Sequence, residues 1–213
     1  MAVNFESLQI IGDDIFKYNP LSKLIIVTKN RSESEIKEIL DREFNLFGEN
    51  KVQEANKKYL NFRKTYEFEL HMIGPLQTNK TELALQTFDT IQSIDRTKLV
   101  DAIVGALSKM GNKIRTQKYY IQINIGEEPQ KSGILPDQSK ELYEYCLMNH
   151  LNIEGLMCIP PAGVSPDQYF EKLIQIRNDL NVNLKLSMGM SADYKIALKK
   201  KTDFIRVGSL IFN

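Results

Sequence analysis

Short apolar runs alternate with segments of helical periodicity along almost the whole chain. Residues 24–28 form a continuous apolar, β-branched run, which is typical of a strand buried on both faces of a parallel sheet. Ser32 and Glu35 follow with the spacing of a capping box, ahead of apolar residues at helical intervals. Residues 118–125 are the clearest strand, because isoleucine alternates there with polar residues.

Eight strands are predicted, at residues 24–28, 44–47, 68–73, 90–94, 118–125, 153–159, 184–186 and 204–207. Helices are predicted near residues 4–18, after the cap at 32–35, and at 52–62, 78–88, 97–109 (capped by Asp95), 137–149, 166–180 and 193–200. Such alternation is typical of parallel strands joined by crossover connections. A doubly wound open sheet often shows a glycine-rich fingerprint after its first strand, whereas Thr28, Lys29 and Asn30 stand here. We predict an α/β fold, a single (β/α)8 TIM barrel of the alanine-racemase type at residues 1–213, with an extra short N-terminal helix.

Composition narrows the function classes. A net charge of +1, with 26% charged and 42% hydrophobic residues, is typical of a soluble globular protein and excludes a disordered or collagen-like chain. Proteins that depend on phosphate-backbone attraction are usually strongly basic. No apolar run approaches the ~20 residues that span a membrane, and the acidic start does not resemble a signal peptide. We expect a cytoplasmic protein that binds neither nucleic acid nor membrane.

The two cysteines and two histidines limit metal chemistry. Cys146 and Cys158 lack a zinc-finger spacing, and Cys146 with His150 would supply only two ligands from one helix face. No metal site is therefore predicted. A disulfide stays open, because two cysteines suit a reducing compartment equally well.

Unusual residues fall where a barrel builds its site, at the carboxyl ends of the strands. They are Lys29 after the first strand, Asn50 after the second, His71 and residues 74–77 at the third, residues 187–191 after the seventh, and Arg206, Gly208 and Ser209 at the eighth. Asn50 alone would be interpreted as a turn residue or cap, and His71 as a satisfied structural group.

Lys29 lies one residue beyond a buried apolar strand, where an ammonium is costly unless it has a role. A lysine in such a place can form a Schiff base with an aldehyde, although most lysines are merely solvated. The glycines at 189 and 208 allow backbone N–H groups to approach an anion, and barrels often bind phosphate there. Simple turn chemistry, with Ser191 as a helix N-cap, is the alternative.

Arg206 lies between Ile205 and Val207, so its side chain should point to the opposite face, toward the barrel interior or mouth. A ring nitrogen, a carboxylate or a phosphate would be a suitable acceptor, and a structural ion pair is the alternative. A lysine, a phosphate turn and an inward arginine together indicate a phosphorylated aldehyde. Pyridoxal 5′-phosphate (PLP) fits that description.

Several motifs then match a known family in order along the chain. They are residues 25–29 (IIVTK), 47–54 (FGENKVQE), 71–80 (HMIGPLQTNK), 121–125 (IQINI) leading to 131–133 (KSG), 155–157 (GLM), 186–191 (LSMGMS) and 205–209 (IRVGS). With these the chain resembles the pyridoxal phosphate homeostasis proteins (YggS/PROSC-like), which share a barrel with the N-terminal domain of alanine racemase.

The resemblance implies that Lys29 holds PLP as a Schiff base and that Asn50 lies beside the ring. It implies that Ser191, Gly208 and Ser209 hold the phosphate, with the backbone of Met190 close by. Arg206 would face the pyridine nitrogen and leave it unprotonated, which makes the ring a poorer electron sink. The resemblance thus implies a protein of intracellular cofactor homeostasis with little or no turnover, no catalytic residue, and apo PLP-dependent enzymes as candidate recipients.

Four departures from the family pattern stand out. Thr28 replaces a usual serine, Ser209 replaces a usual threonine, the chain ends on Phe212 and Asn213 where Phe-Gly and a tail are usual, and the N-terminal segment is shorter than usual. None of these changes removes a proposed cofactor contact.

A PLP-dependent amino-acid racemase is the main alternative. Racemisation needs a base on each face of the substrate α-carbon. Lys29 could supply one, but the other, in alanine racemase, is a tyrosine from a second domain of a partner subunit, for which 213 residues leave no room. The missing domain also favours a monomer. A barrel aldolase with Lys29 as its nucleophile is a third hypothesis; it would bind a phosphosugar and carry no visible chromophore.

Overall fold

Eight parallel strands close into a barrel in the computed structural model, which describes residues 3–212 and their side chains except that of Asn112. The strands are β1 (Lys23–Val27), β2 (Leu46–Glu49), β3 (Glu69–Met72), β4 (Thr90–Ile94), β5 (Lys118–Ile123), β6 (Ile153–Cys158), β7 (Lys185–Ser187) and β8 (Phe204–Val207). Each strand pairs with its neighbour in chain order. The barrel closes where β1 pairs with β8, from Lys23 opposite Phe204 to Ile26 opposite Val207.

The helices surround the barrel, and each of them except the first, which precedes β1, connects two successive strands. They are α1 (Phe5–Tyr18), α2 (Glu33–Leu40), α3 (Val52–Phe62), α4 (Thr81–Thr87), α5 (Thr97–Met110), α6 (Ser139–Met148), α7 (Asp167–Leu180) and α8 (Tyr194–Lys199). Short 3-10 turns stand at Thr78–Lys80, Gly111–Lys113 and Pro136–Gln138. Over the described residues, none of the helices has the length and apolarity needed to cross a bilayer.

The N-terminal helix α1 packs against α8, on the outside of the barrel. α1 spans Phe5–Tyr18, which agrees with the helix predicted near residues 4–18, and with 14 residues it is as long as α5 and α7. Tyr194 at the start of α8 donates a hydrogen bond of 2.7 Å to Asp14 on α1. Val3 and Phe212 form an antiparallel bridge. These contacts tie the two ends of the described chain together.

The predicted (β/α)8 barrel is confirmed, and several element bounds agree with the pattern. The capping box at Ser32 and Glu35 is present. The second strand spans Leu46–Glu49 rather than the predicted residues 44–47. It ends later than predicted because Gly48 and Glu49 are buried strand residues rather than a turn. Asp95 is not the cap of α5: Arg96 occupies that position, and Asp95 forms an ion pair with it.

Alternation along the strands divides the core into two parts. Outward-facing residues such as Ile26, Ile205 and Val207 pack in the main core, between the barrel and its helices. A smaller cluster of Ile25, Tyr120, Met157 and Phe204 fills part of the barrel interior. The Tyr120 and Phe204 rings, from β5 and β8, meet with centroids 6.2 Å apart. The interior is therefore packed rather than hollow.

The two cysteines belong to this packing. Cys146 and Cys158 are both free and buried, so the disulfide left open above is absent. Burial raises the pKa of each thiol to about 12. Both side chains therefore act as small apolar groups at neutral pH.

Gly155 on β6 lies where two strands and an interior ring leave no space. A Cβ there would stand 2.3 Å from the Lys185 carbonyl oxygen and 2.3 Å from Cε1 of Tyr120. Gly155→Ala is expected to lower the free energy of unfolding by about 1–3 kcal/mol. A Cβ on Gly105 in α5 would meet no other atom within 4 Å, so Gly105→Ala is the matched control. It should raise stability by up to about 1 kcal/mol. Urea unfolding measures the stability of both variants. Equal changes in the free energy of unfolding for Gly155→Ala and Gly105→Ala would contradict the prediction.

Candidate functional site

The turns after β1, β2, β7 and β8 meet at one rim of the barrel. The Thr28 N–H donates to the Gly48 carbonyl at 3.0 Å, which joins the ends of β1 and β2. The Arg206 N–H donates to the Gly189 carbonyl at 2.8 Å, which joins the turn after β7 to β8. A Cβ on Gly208 would lie 2.9 Å from the Val27 carbonyl oxygen, so the ends of β8 and β1 are also close. The predicted site residues at these strand ends are thus brought together.

Lys29 stands at this rim but not in the buried setting that we expected. Thr28 is fully buried, whereas Lys29 is exposed, because the chain leaves the strand at Thr28 and turns at Asn30 with a φ of 59°. Within residues 3–212, the Lys29 side chain forms no ion pair or hydrogen bond. Its side chain is therefore accessible to solvent at the carboxyl-end rim.

Arg206 points into the barrel, as the alternation along β8 predicts. Its guanidinium is buried and donates hydrogen bonds of 2.8 Å to the Ser187 hydroxyl and 2.8 Å to the Cys158 carbonyl. Burial lowers the pKa of Arg206 from its ordinary value, but a guanidinium keeps its proton in proteins. Among the described residues no carboxylate pairs with it, so the structural ion pair considered above is not formed.

A line of polar side chains continues from Arg206 across the barrel interior. The Ser187 hydroxyl donates to Oε1 of Gln92 at 2.7 Å, and Nε2 of Gln92 lies 2.7 Å from Nδ1 of His71. His71 is therefore an interior structural group rather than part of the mouth. Sequence reasoning did not assign Gln92 a role. The available signal was a polar residue in the middle of β4, whose five residues are all buried.

The line ends at Glu69, near the amino end of β3. Nε2 of His71 lies 3.1 Å from Oε1 of Glu69, but this nitrogen makes no hydrogen bond among the described residues. The His71 ring is the main group that lowers the pKa of Glu69, to about 2, against the opposing effect of burial. Lys118 and Thr90 also contact this carboxylate, at 3.4 and 3.0 Å.

Asn50 follows β2 directly and has an unfilled acceptor. Its Oδ1 atom is buried and has no hydrogen-bond partner within the described residues. Gly74 packs against it so closely that a Cβ there would lie 2.4 Å from the Asn50 carbonyl oxygen. A buried amide oxygen without a partner is costly, so this position suits a ligand that brings a donor.

The turn after β7 has the tight backbone that an anion site needs. Gly189 has a φ of +95°, and a Cβ on it would stand 2.6 Å from Cβ of Ala197, so only glycine fits without strain. Ser191 is not the N-cap of α8, contrary to the alternative considered above, because Asp193 holds that position. The hydroxyl of Ser191 is therefore not used for capping.

Backbone donors at the two turns differ in availability. The Met190 N–H already donates to Oδ1 of Asp193 at 2.5 Å. Within residues 3–212, the N–H groups of Ser191 and Ser209 donate to no protein acceptor. The free donors thus lie next to Met190 and Gly208 rather than on Met190 itself.

The Ser187 hydroxyl joins the buried guanidinium to Gln92, so its removal leaves two buried polar groups with one partner fewer. We expect Ser187→Ala to lower the free energy of unfolding by about 1–3 kcal/mol. The matched control is Ser108→Ala, because the Ser108 hydroxyl is exposed on α5 and contacts only the Gly105 carbonyl. The control should change stability by less than about 0.5 kcal/mol. Urea unfolding curves measure both effects. An unchanged free energy of unfolding in Ser187→Ala would show that the hydrogen bonds of the Ser187 hydroxyl do not stabilise the fold.

Several solved structures share this fold. PipY of Synechococcus elongatus without PLP superposes with a TM-score of 0.85 and 30% identity over 98% of this chain and 99% of PipY. PipY with PLP bound gives a TM-score of 0.82 and 29% identity over the same shares. Alanine racemase from Acinetobacter baumannii gives 0.75 at 14% identity, over 98% of this chain and 61% of the racemase, which shows the fold alone.

Sequence comparison is consistent with the structures, although no family model matches the chain. The pyridoxal phosphate homeostasis protein of Aquifex aeolicus is 38% identical over 200 residues, which cover 90% of this chain and 86% of the relative. The protein of the same name from Pasteurella multocida is 34% identical over 202 residues, with coverages of 89% and 85%. The chain therefore belongs to the pyridoxal phosphate homeostasis protein family.

Proposed function

We propose that the chain binds PLP at the carboxyl-end mouth of its barrel, holds it as a Schiff base on Lys29, and serves cofactor homeostasis with little or no turnover. The observation that carries the proposal is the shared rim, where one accessible amine stands beside two glycine turns with free backbone N–H groups. An aldehyde and a phosphate on one small molecule would use both features.

The described residues offer the chemical groups that PLP would need. The Lys29 amine is free to condense with the aldehyde, forming a C=N bond and releasing one water. The free N–H groups of Ser191 and Ser209, with the tight backbone at Gly208 and beside Met190, suit the phosphate. The unfilled oxygen of Asn50 suits a donor beside the ring.

Arg206 is the residue that argues for weak turnover. Bound PLP supplies an electron sink for carbanions, most effectively when its pyridine nitrogen is protonated. A guanidinium that faces this nitrogen donates a hydrogen bond but does not give up its proton. Ser187 and the Cys158 carbonyl hold Arg206 in the interior, and no described carboxylate neutralises it. A protein built in this way is suited to holding the cofactor.

The comparisons support the same proposal. Relatives at 34–38% identity carry the name pyridoxal phosphate homeostasis protein, and PipY has been solved with PLP bound. These names favour storage or delivery of the cofactor over a metabolic reaction. We propose apo forms of PLP-dependent enzymes as the recipients, because such enzymes are the users of this cofactor.

Lys29→Ala removes the only amine assigned to the Schiff base. The wild-type protein mixed with PLP should show a visible absorbance band and a borohydride-reducible adduct on Lys29, and the variant should lose both. Lys23→Ala is the control, because Lys23 is an exposed lysine at the opposite end of β1. Absorbance spectroscopy and mass spectrometry of the reduced protein make the measurement. A wild-type protein without an adduct would overturn the proposal.

Incubation with L-alanine tests the racemase alternative. The PLP-loaded protein is expected to form D-alanine no faster than free PLP does, because the arginine beside the pyridine nitrogen weakens carbanion support. Chiral chromatography of the amino acid, with an alanine racemase as positive control, gives the result. Substantial D-alanine from wild type, absent in Lys29→Ala, would replace the homeostasis role with an enzymatic one.

A further inference from the structure

Three charged side chains lie directly behind Lys29, on the side away from the mouth. They are Glu49 at the end of β2 and Glu54 and Lys58 on α3, and we refer to them as the α3 clamp. Glu49 is fully buried and Lys58 is 7% exposed, while the side chain of Glu54 is 26% exposed. The proposed cofactor contacts use none of these groups.

The α3 clamp holds both peptide groups that flank Lys29. Nζ of Lys58 donates to the Thr28 carbonyl at 2.8 Å, and this carbonyl belongs to the peptide bond before Lys29. Oε1 of Glu54 accepts a hydrogen bond of 2.8 Å from the Asn30 N–H, which belongs to the peptide bond after Lys29. The orientation of the Lys29 backbone is thus fixed from behind on both sides of its Cα atom.

The α3 clamp is also connected within itself. Lys58 contacts Glu49 at 2.7 Å and Glu54 at 2.8 Å, so one ammonium lies between two carboxylates. Burial raises the pKa of Glu49 despite the opposing effect of Lys58. Burial would also raise the pKa of Glu54, but Lys58 and the Asn30 N–H bring it below its ordinary value. Thr28 adds a hydrogen bond of 2.8 Å from its hydroxyl to Glu49.

Stability alone is a weak reason for such a cluster. Buried ion pairs are often no more stabilising than apolar residues of the same volume, because both charges must be desolvated. Here Lys58 and Glu54 form hydrogen bonds with the Thr28 carbonyl and the Asn30 N–H, on either side of Lys29. The turn that they hold includes Asn30 in the left-handed region, at a φ of 59°, which costs conformational energy for a residue other than glycine.

We propose that the α3 clamp is a positioning device that sets the direction in which the Lys29 amine enters the mouth, and thereby the rate at which it captures an aldehyde. The inference rests on the proposed function. Because the Lys29 side chain forms no ion pair within the described residues, the backbone is the part of this residue that the fold can orient. Glu54, Glu49 and Lys58 are positioning residues, and Lys29 is the group that reacts.

Glu54 offers the sharpest test, because its partly exposed side chain can be replaced with little loss of packing. Glu54→Leu removes the acceptor for the Asn30 N–H, whereas Glu54→Gln keeps an oxygen at that place. We expect Glu54→Leu to slow the appearance of the absorbance band with PLP by about 10- to 100-fold, as misplaced reacting groups typically do. Glu54→Gln should recover most of the rate. Lys57→Met, at an exposed neighbouring lysine on α3, is the control and should match wild type.

Two further measurements separate positioning from general damage. Pyridoxine 5′-phosphate carries an alcohol in place of the aldehyde, so its affinity reports the phosphate and ring contacts without Lys29 chemistry, and it should be unchanged in Glu54→Leu. Amide exchange of the segment around Asn30, measured without ligand, should lose protection in Glu54→Leu and keep it in Glu54→Gln. If urea unfolding shows that Glu54→Leu is not folded, Glu54→Ala replaces it, because this variant removes the same acceptor with a smaller side chain.

The outcomes distinguish this inference from the proposed function. If wild type forms no adduct with PLP, the proposed function is wrong and the positioning role falls with it. If wild type forms the adduct and the acceptor-deleted variant forms it at the same rate, only the positioning role is wrong. Equal losses of affinity for PLP and for pyridoxine 5′-phosphate would also overturn it, because they would show damage to the whole site.

Discussion

Pairing of β1 with β8 closes the barrel, and the arrangement of the mouth depends on that closure. In a closed parallel barrel all carboxyl ends lie on one rim, so the turn after the first strand stands beside the turn after the last. Gly208 lies close to the Val27 carbonyl at this junction: a Cβ atom on Gly208 would stand 2.9 Å from the Val27 carbonyl oxygen. Lys29 and Ser209, from opposite ends of the chain, stand on neighbouring turns only because these two strands pair.

The barrel interior combines two kinds of packing. An apolar cluster around Tyr120 and Phe204 fills part of it, and the line from Arg206 through Ser187 and Gln92 to His71 crosses the rest. A buried cation is tolerated when its donors have partners, and Arg206 has a hydroxyl and a carbonyl rather than a carboxylate. Among the described residues its positive charge is therefore not neutralised by an ion pair.

The region around Lys29 has a front and a back with different chemistry. In front, the amine is exposed and free of partners among the described residues; behind it, Glu54 and Lys58 hold the backbone on both sides. The proposed reaction with an aldehyde is favoured by an amine that has no salt-bridge partner. It also gains from a defined direction, which a flexible side chain cannot provide by itself. Backbone contacts supply direction without occupying the amine.

Periodicity alone determined the fold class, the helix at Val52–Phe62, the strands at Thr90–Ile94 and Phe204–Val207, and the inward orientation of Arg206, since all of these follow from local alternation and spacing. The family motifs indicated which rim residues would contact the cofactor, and these assignments stay a prediction. Tertiary structure decided what depends on distant partners: that β2 extends to a buried Glu49 and that Lys29 is exposed. The contacts of Gln92 with Ser187 and His71, and of Lys58 with Thr28, join separate strands and helices. No local pattern specifies such pairs, because a buried polar residue shows only that it needs a partner and not which one the fold will bring.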